Sequence, residues 1–297
     1  MTMIPEFVRS RIRIAFSDAN NDVSRTLSAQ PNIHEITLDH LFVAAMNKVP
    51  STIFPESNIA LAIDTHWIGG RPHFLGRWEI ADIALVAVLR RNGNLVWRKV
   101  ALLQSKRLYS RDVEAVELDE YDYLVGIGRL IDSTDKQVPL FKQHGYSFDG
   151  NSIYGELHTN SEQVRHIEEY TRKYKMPVYY SLYNPLEIPM SGITPIPEGA
   201  RRDGVNKVGC RVARSNEVHK VMATAVGNPT FDQVNRIKDK EELRGWRIEQ
   251  FVADEFLSCH EVRKIEDEED PDMEALLYDR TAPISAAIVI TVDLPAD

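Results

Sequence analysis

Apolar positions recur along the chain at two spacings, and the change from one to the other marks out its elements. Over residues 4–48 the spacing is helical. "IPEFVRSRIRIAF" sets arginines between its apolar residues, and "SDANNDVSRTLSAQ" reads as a weaker helix passing partly into loop. In "HEITLDHLFVAAMNKV" Leu38, Leu41, Phe42, Ala45 and Met46 form one stripe, and Pro50 ends it. Strand patterns follow in "NIALAIDTHWI" and, after Gly69-Gly70, in "WEIADIALVAVLR". Asn92-Gly93 is a strong hairpin signal, from which "LVWRKVALLQSKRL" returns.

The segment 109–160 reads as an insertion with little regular structure. "NSEQVRHIEEYTRKY" predicts a helix capped by Asn160 or Ser161, with Val164, Ile167, Tyr170 and Tyr174 on one side. "MPVYYSLY" is a strand stopped by Asn184-Pro185, and the prolines and glycines of 185–200 mark a loop. "KDKEELRGWRIEQFVADEFLSC" predicts a helix with Asp239 and Glu242 at capping-box spacing, and "ISAAIVITVDL" a buried strand. The expected architecture is α/β: a mixed central β-sheet flanked by helices over 1–184, then an additional C-terminal α+β region, 185–297, of unknown role.

Composition narrows the function. The hydrophobic fraction, 43%, suffices for a sizeable core, and two cysteines, Cys210 and Cys259, supply neither a disulfide framework nor zinc-ligand spacing. No signal-peptide core or membrane span is visible, so a cytoplasmic protein without membrane attachment is expected. The net charge of -9 argues against a protein that coats nucleic acid by charge alone. Glycine-rich phosphate loops, the G-x-S-x-G elbow and H-E-x-x-H are all missing, which removes the commonest nucleotide-binding, esterase and zinc-protease readings.

The chemistry concentrates at one end of the hairpin. Asp82 leads into the apolar run "ALVAVL", and the partner strand ends in Gln104-Ser105-Lys106. A carboxylate entering a buried strand is costly unless paired or metal-bound. With two loop residues at the turn Lys106 faces Glu79; with three, Gln104 faces Asp82. In either register Gln104 and Lys106 share a face. Such a set suits a hard divalent cation: Asp82 as direct ligand, Gln104 adding its carbonyl oxygen, and Lys106 beside the attacked phosphate. The natural reaction is metal-assisted hydrolysis of a phosphodiester.

Asp82 in "EIADIAL" and the Gln104-x-Lys106 of "LLQSK", in the order helix, three strands, helix, strand, resemble the PD-(D/E)xK nuclease superfamily. The similarity is greatest to the Mrr-like branch, in which glutamine replaces the acidic member of the last motif. The resemblance covers the first two thirds of the chain. It implies a restriction-endonuclease-like core and a DNA endonuclease of bacterial defence, with Mg²⁺ or Mn²⁺ as cofactor. It also implies either a homo-oligomer or a partner subunit in a defence complex. Glu35 in "HEITLDHL" matches the glutamate of the first core helix, a further metal ligand, and Gln163 matches a polar position of the later helix. The alternative is a catalytically inactive nuclease-fold module that binds DNA or a partner protein. A hydrolase or transferase site in the last third is a second alternative.

Among other residues, Asp64 in "AIDTHW" is expected to end a strand near the same site, ranking below Asp82. His66, His73, His144, His158 and His260 show no triad spacing, and Trp67, Trp78 and Trp97 are expected to cover the other face of the hairpin. The segment 201–220 carries six Lys and Arg against two acids, a local net of +4. Arg201, Arg202, Lys207, Arg211 and Arg214 are therefore candidates for phosphate contact, and the acidic run 265–274 reads as a solvated loop.

Overall fold

The structure, a computed structural model, describes residues 4–67, 73–74, 77–78, 80–111, 144–155, 157–158, 161–194, 201–202, 207–236, 243–258, 260–262, 265, 270–271 and 284–296. Two helices lead, α1 (Glu6–Ala29) and α2 (Glu35–Asn47). They precede β1 (Thr52–Phe54), β2 (Ile59–Trp67), the two-residue strands β3 (His73–Phe74) and β4 (Arg77–Trp78), and the hairpin of β5 (Ala81–Arg91) and β6 (Asn94–Arg107). Then come β7 (His144–Phe148), α3 (Glu162–Tyr174) and β8 (Val178–Tyr183). Next are β9 (Met190–Thr194), β10 (Arg201–Arg202), β11 (Arg211–Arg214), α4 (Ser215–Met222) and α5 (Phe231–Asn235). The chain continues through β12 (Trp246–Arg247), α6 (Ile248–Gln250) with a π-helical extension over Phe251–Phe256, and β13 (Ile284–Leu294).

Eight strands form one mixed sheet in the order β1-β2-β13-β5-β6-β8-β11-β12, flanked by helices. Its hydrogen bonding does not follow a division at residue 184. β13 lies in the centre, antiparallel to β2 and parallel to β5, and β11 joins the far side of β8. On one face of β13 the side chains Ala286, Ile288, Ile290 and Val292 are fully buried, while Ala287, Val289 and Thr291 on the other are half-buried.

Several elements differ from the pattern's expectation. α1 runs unbroken through "SDANN" because Asn20 and Ser24 point inward and are satisfied there. Asn20 Nδ2 donates to Glu249 Oε2 at 2.8 Å, and its Oδ1 accepts from the backbone N–H of Cys210 at 2.7 Å. The expected loop at 185–200 contains β9, which pairs with β7 from the expected insertion. In place of one helix over 238–259, the described residues hold a short strand followed by a helix from Ile248; Asp239 and Glu242 lie outside the described residues. Gly245, at φ +69°, explains the break: a Cβ there would lie 2.3 Å from the Val212 carbonyl oxygen.

The hairpin combines features of both registers. Asn92 and Gly93 have φ of 50° and 78°, the two left-handed residues of a type I′ turn. Arg91 pairs with Asn94 and Arg90 with Leu95, but Leu89 pairs with Trp97. Val96 is thus a bulge residue, and it resets the register so that Ile83 faces Leu103.

Candidate active site

One residue beyond the Ile83–Leu103 pair, Gln104 stands against Asp82. Gln104 Nε2 donates to Asp82 Oδ2 at 2.5 Å, and the same oxygen accepts the Ser105 backbone N–H at 2.6 Å. Gln104 is buried, yet its carbonyl Oε1 has no hydrogen-bond donor. A buried acceptor without a donor carries a desolvation cost that a cation would relieve.

Lys106 follows on the same face of β6. Its side chain is 5% exposed, and its Nζ donates to Glu35 Oε1 at 3.2 Å. Glu35 Oε2 accepts the Arg107 backbone N–H at 2.9 Å. The first turn of α2 therefore holds the end of β6, and Glu35 keeps the buried ammonium partnered. Glu35 engages the Lys106 ammonium with one carboxylate oxygen and the Arg107 backbone with the other, a different use from the direct metal ligation that the family pattern implies.

The pattern does not single out Asp39, one helical turn along α2 from Glu35. It is 2% exposed, and its Oδ1 accepts from Ser105 Oγ at 2.5 Å and from Tyr183 Oη at 2.7 Å. Burial raises its pKa well above the ordinary carboxylate range, and the nearby charges of Asp82 and Glu35 push the same way. The available signal was its position beside the buried stripe of Leu38, Phe42 and Met46, where a solvated carboxylate would be out of place.

The other face carries a second polar chain. Tyr180 on β8 lies beside Gln104 in the parallel register. Its hydroxyl meets His219 Nε2 at 3.1 Å, and His219 Nδ1 meets Glu168 Oε1 at 3.0 Å. Burial raises the Tyr180 pKa, so the hydroxyl keeps its proton, and the nearby Lys106 charge opposes that shift only in part. No feature of the sequence linked these three residues.

The remaining candidates fall elsewhere. Gln163 is half-buried in the first turn of α3, and the structure does not join it to the Asp82–Gln104 pair. Asp64 is exposed and level with Val86, not with Asp82; Glu79 lies outside the described residues. Arg211 is not on a surface. Burial lowers its pKa to about 10, and its guanidinium donates to the carbonyls of Leu243, Arg244 and Gly245. Arg214 pairs with Glu261 and Glu217 and lies over the Trp246 ring. Lys207 is exposed, and Arg201 and Arg202 form β10, their side chains outside the described set. Trp97 is buried in the core, whereas Trp67 is 40% exposed and meets His40 edge-on. Asp270, in the acidic run, is 8% exposed, and Ile265 bridges to Arg98.

No family model, curated protein or solved structure matches this chain. Among the described residues no three His, Cys, Asp or Glu side chains stand close enough to hold a metal ion by themselves. The donor set at the hairpin end is of another kind, one carboxylate and one amide carbonyl, which suits an ion that keeps several of its waters. Among the described residues no helix is long and apolar enough to cross a membrane.

Proposed function

We propose that this chain is a metal-dependent DNA endonuclease hydrolysing phosphodiester bonds, in the role of bacterial defence against foreign DNA. The observation that carries the reading is the buried, donorless carbonyl of Gln104 beside Asp82, two residues before a lysine held by its own carboxylate. Asp82 and Gln104 would hold Mg²⁺ or Mn²⁺, which when bound supplies Lewis-acid charge and a more acidic water. Lys106 places its ammonium where negative charge grows on the attacked phosphate and orients the attacking water. Glu35 positions Lys106 and favours its charged form. Asp39 fixes Ser105 from the opposite face, and with it the backbone N–H that orients Asp82.

A second reading has its own observation. Asp82 Oδ2 already accepts two N–H donors, as a purely structural carboxylate would. On that reading the chain is an inactive nuclease-fold module that binds DNA or a partner protein.

The test incubates supercoiled plasmid with wild type and Lys106→Ala, in Mg²⁺ and in chelator. Wild type should nick or linearise the plasmid only with Mg²⁺, and Lys106→Ala should be slower by ~10²–10³-fold. Calorimetry should find divalent-metal binding that Asp82→Ala abolishes. An inert wild type without metal binding would favour the second reading.

A further inference from the structure

Between α3 and α4 lies a groove of about 470 Å³, a size that admits a nucleotide. Glu168 and Arg172 line it from α3, and Ser215, Asn216, His219 and Lys220 from α4. His219 connects this groove to the candidate active site through Tyr180, the strand neighbour of Gln104.

The hydrogen bonds settle which charges face a ligand. A carboxylate only accepts, so His219 Nδ1 carries the proton shared with Glu168. Nε2 then accepts from the Tyr180 hydroxyl, and burial keeps the ring neutral by lowering its pKa. Glu168 is thereby engaged by the imidazole. Arg172 and Lys220 are exposed at the groove, and neither forms an ion pair among the described residues. In a chain of net charge -9, two cations at one groove, against the single carboxylate of Glu168, form a local attraction for a phosphate. A guanidinium offers it a two-pronged contact and an ammonium a point charge.

We propose that this groove holds a phosphate of the substrate DNA strand, with Arg172 and Lys220 as its cationic contacts. The inference rests on the nuclease reading and adds to it a contact with the strand's backbone on the α3–α4 side of the sheet.

The test measures anisotropy of a labelled DNA duplex across a salt series, with Ca²⁺ in place of Mg²⁺ to hold off cleavage. Proteins compared are wild type, the double variant Arg172→Glu/Lys220→Glu, and Asp82→Asn, each checked for an intact thermal transition. The double variant should bind roughly tenfold or more weakly, with the slope of log affinity against log salt reduced by about two. Asp82→Asn should lose cleavage in Mg²⁺. Wild-type affinity and slope in the folded double variant, with wild type binding DNA, would overturn the groove and leave the nuclease reading standing. A wild type that neither binds nor cleaves DNA would overturn both. Displacement of the duplex by a mononucleotide at equal phosphate concentration would instead make the groove a nucleotide pocket and overturn the strand contact.

Discussion

Gln104 gives its amide N–H to Asp82 across 2.5 Å and leaves its carbonyl oxygen buried without a donor. The arrangement satisfies the carboxylate at the expense of the amide. Turning the amide over would set two acceptors against each other, which is favourable only with a cation between them.

Replacing this amide by a second carboxylate therefore separates structure from metal binding. Gln104→Glu loses a hydrogen bond to a charged group and adds repulsion with Asp82, together costing about 2–3 kcal/mol. Without divalent metal the variant should melt below wild type. With Mg²⁺ it should recover most of the difference, because a paired carboxylate site binds the ion more tightly than a carboxylate and an amide. Thermal denaturation with Mg²⁺ and with chelator reads this directly, and a Mg²⁺-induced shift no larger than wild type's would count against an ion held between residues 82 and 104.

Asp39 gives a pH signature. Its folded pKa is raised, chiefly by burial, so its contribution to stability is complete below the unfolded value near 4 and is lost as pH rises towards the folded value. Asp39→Asn keeps an acceptor for Ser105 and Tyr183 but has no proton to lose. The stability of the variant relative to wild type should rise with pH from about 4, at up to about 1.4 kcal/mol per pH unit, then level off. Urea unfolding at several pH values checks the sign; a difference independent of pH would mean that Asp39 ionises in the fold as freely as in the unfolded chain.

Much of this fold was legible where one periodicity dominated. The stripes of α2 and α3, the runs of β5 and β6, and the Asn92-Gly93 turn follow from spacing and local backbone preference. Elsewhere tertiary pairing overrides the pattern. Asn20 and Ser24 interrupt the apolar face of α1, yet they are interior because their partners arrive from residues 249 and 210, which no local window contains. The run at β13 read correctly as a buried strand, but nothing in it specified insertion between β2 and β5. At the site, the proximity of Asp82 and Gln104 depended on a bulge at Val96 that the sequence left open between two registers. Asp39 and His219 escaped notice because each has its role only through residues on other elements.

The turn and the bulge should respond differently to change. At Gly93 a Cβ meets nothing within 4 Å, so Gly93→Ala pays only for a left-handed backbone at φ +78°, about 1 kcal/mol. A fall in melting temperature of about 2 °C should follow. Deleting Val96 removes the bulge and turns every later side chain of β6 to the opposite face, which buries Gln104 and Lys106 against the wrong neighbours. That deletion should abolish the cooperative transition in circular dichroism, and a cooperative deletion variant would show that the hairpin can re-form its register elsewhere.

Arg211 tests whether the basic stretch acts by charge or by scaffolding. Its guanidinium is the hydrogen-bond donor for the carbonyls of Arg244 and Gly245, at 2.9 Å each, where the chain bends into β12. Arg211→Met fills the space but leaves those half-buried carbonyls without this donor, at about 1 kcal/mol each. Arg211→Lys retains the charge but not the fork, and should recover only part of the loss. Both should lower the urea midpoint, Met more than Lys. Because the side chain is buried, the folded Lys variant should bind DNA with the wild-type salt slope, in contrast to charge reversal at Arg172 and Lys220. A reduced slope in Arg211→Lys, with the midpoint unchanged, would return this residue to the phosphate-binding surface.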